Sequence, residues 1–397
     1  MTLQQDASAR LGTGYAREVR VMLGSALVLF VWTVVIGILN GVDVIDFDHK
    51  VLLTHLHVGT LGWISTAVFA ATLYLFDGPS TPQSRALAWA TPVVAVAYNI
   101  AFLTTTSVVR PIVGTAMVVV MVLFAAHALW GLLSRGREGR VVSVPHLAMA
   151  AALFTVVLGG LFGVLLGLQF AGRLTMVGIG EAHPAVMVVG FLVPAGMGYA
   201  ELALRPGSAS VAAGWAGRLQ IGLPFLGALM AAVGFLSGQF ALVQAGLPLE
   251  IIGTLIFLVR LVPTALRTSL LADTPQRYGI PPLVFLPVNI AILVSIIARY
   301  APDLTVTPVR QFEAMDHAIF VGVMTFAIFG VVQQLVPPRR SGWHNQFMFW
   351  GMLVGVSLFV VGLLLDVTPL LHSGTPLLGL AILAGVGVYA PRLLREG

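Results

Sequence analysis

Residues 51–76 read VLLTHLHVGTLGWISTAVFAATLYLF, 26 positions without one Asp, Glu, Lys or Arg. A helix rises ~1.5 Å per residue, so this run can cross a hydrocarbon layer of ~30 Å. It carries two imidazoles near its start, His55 and His57. Eleven more apolar runs accompany it, and the set falls near 20–40, 51–76, 86–107, 111–133, 146–170, 182–204, 217–240, 248–270, 281–299, 314–336, 346–366 and 373–391. Barrel strands are ruled out because they are ~10 residues long with alternating polarity. Across all 397 residues, 58% are hydrophobic and 9% are charged. Soluble domains carry ~25% charged residues, so an ordinary soluble enzyme is excluded. The expected class is an all-α polytopic membrane protein, with twelve transmembrane helices in a single transmembrane domain, 1–397, embedded in a lipid bilayer.

The charges give an orientation. Of 21 basic residues, only Lys50, Arg110, Arg173, Arg299 and Arg310 fall on one side of the twelve segments. Arg10, Arg17, Arg20, Arg85, Arg135, Arg137, Arg140, Arg205, Arg218, Arg267, Arg277, Arg339, Arg340, Arg392 and Arg395 fall on the other, and Arg260 is nearer to it. The positive-inside rule then places both termini in the cytoplasm and the chain in the inner (cytoplasmic) membrane. The net charge of +5 is accordingly a topology signal, not a nucleic-acid footprint. The first segment is too long for a signal-peptide core and is read as a retained helix.

There is no cysteine, which removes thiolate metal sites, iron–sulfur clusters and c-type haem attachment. Phosphate-binding glycine loops, H-E-x-x-H and G-x-S-x-G are absent as well, and no residue is assigned a catalytic role. Four histidines stand out. His55 and His57 open the second segment, His183 the sixth and His317 the tenth, all at the external side. His183 follows His57 by 126 residues, and His317 follows His183 by 134. Small residues follow each: Gly59 and Gly62, Gly190 and Gly196, Gly322 and Gly330. The interval is four helices each time, which suggests three pseudo-repeated four-helix arcs.

An imidazole at the membrane boundary is costly unless it lines a cavity, pairs or binds something. It is also the common ligand for haem iron, copper and zinc. Successive helical residues turn ~100°, so His55 and His57 diverge by ~200°. Either one of them is a ligand, or the two serve pockets on opposite sides of their helix. Glu313 precedes His317 by one turn, and Glu181 precedes His183 by two residues; either carboxylate could orient an imidazole. The other histidines, His49, His127, His146, His344 and His372, are read as loop or helix-end residues. Trp63 is read as packing, and Arg260 as snorkelling to the interface. Glu201, Glu250 and Asp366 are placed near segment ends, which counts against a proton-coupled carrier with a mid-membrane carboxylate.

The stretch His55-Leu56-His57-Val58-Gly59-Thr60-Leu61-Gly62-Trp63 resembles the H-x-H-x-G-x-L-G-W pattern of helix ten in C-type heme–copper oxidases. His183-Pro184-Ala185-Val186 is similar to the H-P-E-V stretch that carries a copper-ligand His in that superfamily. Met324 to Gly330, running to Leu335-Val336-Pro337, resembles the end of the C-type helix. Twelve helices in three arcs is the architecture of the superfamily's catalytic subunit, which includes nitric oxide reductases. The overall pattern also resembles the smaller NnrS family of haem- and copper-containing membrane proteins linked to nitric-oxide response.

The departures are large. The seventh segment has no His for a copper triad, Met187 stands where the redox tyrosine would be, and the H-x-H lies on the second segment instead of the tenth. The resemblance therefore implies one or two b-type haems without the copper triad, with copper or another metal ion as a further ligand of the same histidines. Cofactor-binding residues are His57 and His317, with His55 beside His183 for a second haem or metal. The implied role is redox or gas-related (nitric oxide or oxygen) near the external face, and a donor by analogy would be a cytochrome or a quinol. The alternatives are a twelve-helix secondary transporter and a non-redox metal-handling membrane protein.

Overall fold

The computed structural model describes residues 15–76, 78–301, 303–336 and 342–395. Arg10, Asp77, Pro337, Arg339 and Arg340 lie outside the described residues. Twelve helices are long and apolar enough to span a membrane: α1 (Ala16–Gly41), α2 (His49–Phe76), α3 (Pro82–Thr104), α4 (Val109–Arg137), α5 (Val144–Phe170), α6 (Ile179–Leu204), α7 (Trp215–Ser237), α8 (Phe240–Ala265), α9 (Pro275–Tyr300), α10 (Val309–Leu335), α11 (Trp343–Leu365) and α12 (Thr368–Arg395). No strand occurs among the described residues.

Three helices form the centre. In α2, α6 and α10, 89%, 83% and 89% of the apolar window is buried, against 33–56% in the other nine. These three can be polar inside because they meet protein instead of lipid. Their polar groups tie them together. The Trp63 indole donates to Thr325 Oγ1 at 3.1 Å (α2 to α10), the Tyr199 hydroxyl to the Ala67 carbonyl (α6 to α2), and Gln334 Nε2 to the Leu202 carbonyl at 2.9 Å (α10 to α6). Trp63 is also stacked on Phe30 of α1 at 4.6 Å, so it packs, as its sequence context suggests.

The outer helices pack in sequence as antiparallel neighbours, α3 on α4, α4 on α5, α7 on α8 and α11 on α12. α12 returns to lie against α1, with Gly24 beside Leu394 and Gly41 beside Thr375. The start of α1 and the end of α12 therefore share one face, called here the terminal face. The opposite face carries the starts of α2, α6 and α10 and is called the histidine face.

One boundary differs from the sequence expectation. The eighth helix begins at Phe240, not near 248. Gly246-Leu247-Pro248 looks like a turn, but the turn is at Gly238, whose φ of 67° is left-handed and ends α7. Pro248 lies within α8, and Gly246 serves contact instead: a Cβ there would come within 2.6 Å of the Gly227 carbonyl oxygen. The α7–α8 backbones touch at this point, as small residues permit in membranes. Gly227→Leu must force the two helices apart. We expect a loss of roughly 1–3 kcal/mol or more, the usual cost of overpacking, read as a lowered thermal unfolding midpoint in detergent.

Candidate cofactor site

Each central helix contains one eight-residue stretch of π-helix, and each stretch starts at or just after a singled-out histidine. They are Val58–Ser65 after His57, Ala185–Leu192 after His183-Pro184, and Ala318–Thr325 after His317. Such segments weaken the regular hydrogen-bond ladder and concentrate at functional sites. Threonine hydroxyls compensate. Thr66 donates to the Leu61 carbonyl at 3.0 Å and Thr325 to the Phe320 carbonyl at 2.8 Å, while Thr155 of α5 donates to the Gly190 carbonyl at 2.7 Å.

The four imidazoles share one hydrogen-bond arrangement. His55 Nδ1 meets the Thr33 carbonyl of α1 at 2.8 Å, and His57 Nδ1 meets the Leu53 carbonyl at 2.7 Å. His183 Nδ1 meets the Gly159 carbonyl of α5 at 2.9 Å, and His317 Nδ1 meets the Glu313 carbonyl at 2.7 Å. A carbonyl can only accept, so each Nδ1 is the donor and each neutral ring presents an Nε2 lone pair. No partner for any of the four Nε2 atoms occurs among the described residues. This fixed tautomer is what metal-ligating imidazoles have. It also corrects an expectation: backbone carbonyls orient His183 and His317, not the carboxylates of Glu181 and Glu313.

The rings fall into two pairs. His55 and His317 are electrostatic neighbours, as are His57 and His183. These neighbours differ from the ligand pairs preferred from sequence, His57 with His317 and His55 with His183. His55 and His57 diverge around α2 and so have two separate settings, on opposite sides of one helix. The first lies where α1, α2, α10 and α11 meet, and Phe359 of α11 sits edge-on to His317 at 4.5 Å. The second lies between α2 and α6, walled by α3, α4 and α5. There Phe102 stacks on His57 at 4.3 Å, and the Arg110 guanidinium stands 4.2 Å from the Phe102 ring centre. Arg110 also donates to the Phe102 carbonyl at 2.6 Å. All four histidines are half-buried.

Glycines make room for the rings. A Cβ at Gly37 of α1 would stand 3.0 Å from His55 Cε1, and one at Gly163 of α5 would stand 3.1 Å from His183 Cε1. Each glycine is one turn beyond the residue whose carbonyl holds that ring, Thr33 or Gly159. Gly37→Val should therefore displace His55 and leave the His57–His183 pair untouched, and Gly163→Val the reverse. The check is whether each variant shifts the nuclear magnetic resonance signals of only one histidine pair.

Between α6 and α10 no histidine pair occurs among the described residues. Phe285 of α9 fills the space at Gly322, and Asn289 Nδ2 donates to the Met315 carbonyl at 2.8 Å. Among the described residues, no three His, Asp or Glu side chains converge as a metal-binding group.

The remaining histidines have other settings. His146 is buried with both nitrogens engaged, by Ser143 Oγ at 2.6 Å and the Leu75 carbonyl at 3.0 Å, pinning α5 to the end of α2. His127 meets the Tyr15 hydroxyl at 3.0 Å, His372 pairs with Asp43 at 2.9 Å, and His344 stacks on Trp343. His49 opens α2.

Two further readings change. Arg260 does not snorkel: it makes a two-pronged ion pair with Glu201 of α6, at 2.8 and 2.9 Å, and donates to Gln220 of α7. Glu250 is not near a helix end. It lies ten residues into the 26-residue α8 and is 2% exposed, so a carboxylate deep in the helical bundle does exist. Sequence reasoning also missed Tyr98, Phe102 and Arg110 as the surroundings of His57. The available signal was the small-residue spacing Gly159-x-x-x-Gly163 on the fifth helix, repeated as Thr33-x-x-x-Gly37 on the first.

Compared with known proteins, the chain matches no family model and no curated sequence.

Proposed function

We propose that this chain is an integral membrane b-type haem protein with two bis-histidine sites, His55 with His317 and His57 with His183, near the histidine face. One observation carries the reading: four imidazoles in two pairs, all held by backbone carbonyls in the tautomer that offers Nε2. A lone interfacial histidine needs no such uniformity. Two imidazoles that each offer Nε2 would hold a haem, which would supply one-electron exchange or binding of a diatomic gas. The chain's own part is to fix the rings, to surround His57 with Phe102 and Tyr98, and to set Arg110 where an anionic haem edge would need a cation.

The three central helices with matching π-helical stretches fit the three-arc arrangement of the heme–copper oxidase catalytic subunit and NnrS-like proteins. The absence of a histidine pair on the α6–α10 side fits a member without the copper triad. On this reading the histidine face is external, the terminal face is cytoplasmic, and a cytochrome or quinol is the donor. Copper or zinc at the same imidazoles is the metal-handling form of the proposal. Glu250 favours a second reading, a proton-coupled carrier, because such carriers place carboxylates at mid-membrane. Haem and metal content of the purified protein separates the three. Two haems per chain support the first, bound copper or zinc alone the metal-handling form, and neither cofactor the carrier.

A further inference from the structure

The buried carboxyl of α8 belongs to neither imidazole pair. Glu250 Oε1 has no hydrogen-bond partner among the described residues. One turn along, Thr254 Oγ1 is also buried and unpartnered, and across the interface so is Gln220 Nε2 of α7. The register brings these groups together. Gly253 packs against α7 so closely that a Cβ would lie 3.1 Å from the Gln220 carbonyl oxygen, which levels Gln220 with Thr254. Glu250 is one turn deeper. Pro224 lies one turn beyond Gln220 and has no N–H to give its carbonyl, so another acceptor is exposed to the same space.

Buried polar atoms without partners call for an occupant. The donor set selects it. A metal cation would be repelled by the Gln220 amide N–H groups. Water fits, since it can accept from Gln220 and Thr254 and donate to Glu250. A buried site with several polar partners holds water, whereas an apolar one stays dry.

Among the described residues, hydrogen-bonded polar groups continue from the site toward one face. Toward the terminal face, Gln220 Oε1 accepts from Arg260, which holds Glu201 and whose side chain is 20% exposed. Arg205 extends the network to Thr264 at 3.0 Å. Toward the histidine face, the Gly227–Gly246 backbone contact closes the interface. Among the described residues, no charged group offsets Glu250 from the packed helices. Glu201 of α6 is taken by Arg260, Arg218 of α7 donates to the Ala213 carbonyl at 3.2 Å, Arg277 of α9 binds Asp273, and Arg299 lies at the far end of α9.

We propose that the α7–α8 interface is a blind, hydrated proton well, in which Glu250 exchanges one proton with the terminal face through waters held by Thr254 and Gln220, past the Arg260–Glu201 pair. The proton comes from bulk water and is returned to it; no electron moves. The site stands whether or not the imidazole pairs bind haem.

Infrared spectroscopy of the full chain in uniformly oriented proteoliposomes tests this. Wild-type protein should show the carbonyl-stretch band of a protonated carboxyl in an apolar setting. The band should disappear in Glu250→Gln and should shift with deuterium supplied at the terminal face before deuterium supplied at the histidine face. Gln220→Leu should keep the band and slow its exchange at least tenfold, which keeps the test alive if Glu250→Gln fails to fold. A band that persists in Glu250→Gln, equal exchange from both faces, or unchanged exchange in Gln220→Leu would overturn the proposal.

Discussion

On the proposed two-haem reading, replacing His317 by alanine should remove or convert one haem and leave a second with its spectrum intact. His55→Ala should give the same result, because the two rings are partners. His57→Ala and His183→Ala should both strike the other centre. The four variants thus fall into two classes, and each class should lose up to one haem of two per chain. The physical reason is the ~200° divergence of residues two apart on a helix, which sends His55 toward α10 and His57 toward α6. A double variant within a pair should be no worse than the single ones, whereas His55→Ala with His57→Ala should abolish both signals. Haem-to-protein ratio and the reduced-minus-oxidised spectrum are the readouts. If His317→Ala and His183→Ala affected the same centre, the pairing would be wrong.

The second large effect concerns stability at the terminal face. Arg277 is fully buried among partners: Asp273 at 2.9 Å, the Asn345 carbonyl at 2.9 Å and Gln346 at 2.8 Å, with the Phe349 ring 4.7 Å away. It joins the start of α9 to α11. Asp273 also accepts from Asn345 and Gln333, so the carboxylate is the hub of a closed network. Arg277→Ala would leave that carboxylate buried without its countercharge. Breaking a buried pair from one side costs about 3–5 kcal/mol, enough to halt accumulation of folded protein. Arg277→Lys should recover only part of it, because an ammonium cannot reach three acceptors in the planar arrangement a guanidinium offers. Thermal unfolding and detergent extraction yield measure both. A wild-type midpoint for Arg277→Ala would show that the network contributes little.

Much of this was legible in the sequence because membranes punish polar groups. Histidines at the starts of the second, sixth and tenth segments drew attention, since an unpartnered imidazole there is expensive, and each stands just before a π-helical stretch. Arginine asymmetry and segment length together gave the span count. The pairing of the rings was not legible. It depends on the rotation of each helix about its axis and on the π-helical stretches, which no apolar pattern records. The Arg260–Glu201 ion pair joins residues 59 apart across two helices, so nothing local announced it. The depth of Glu250 was hidden by Gly246-Leu247-Pro248, which has turn chemistry but serves helix contact. The real turn at Gly238 is a single left-handed glycine between Ser237 and Gln239.

The central claim is that the four imidazoles are axial ligands. The most direct measurement is the haem content of the full chain purified after expression with ample haem supply, taken together with its reduced-minus-oxidised spectrum. The account predicts two b-type haems per chain, both six-coordinate. Purified protein that carries no haem, with His55→Ala and His317→Ala indistinguishable from wild type, would contradict it and leave the imidazoles as interfacial residues.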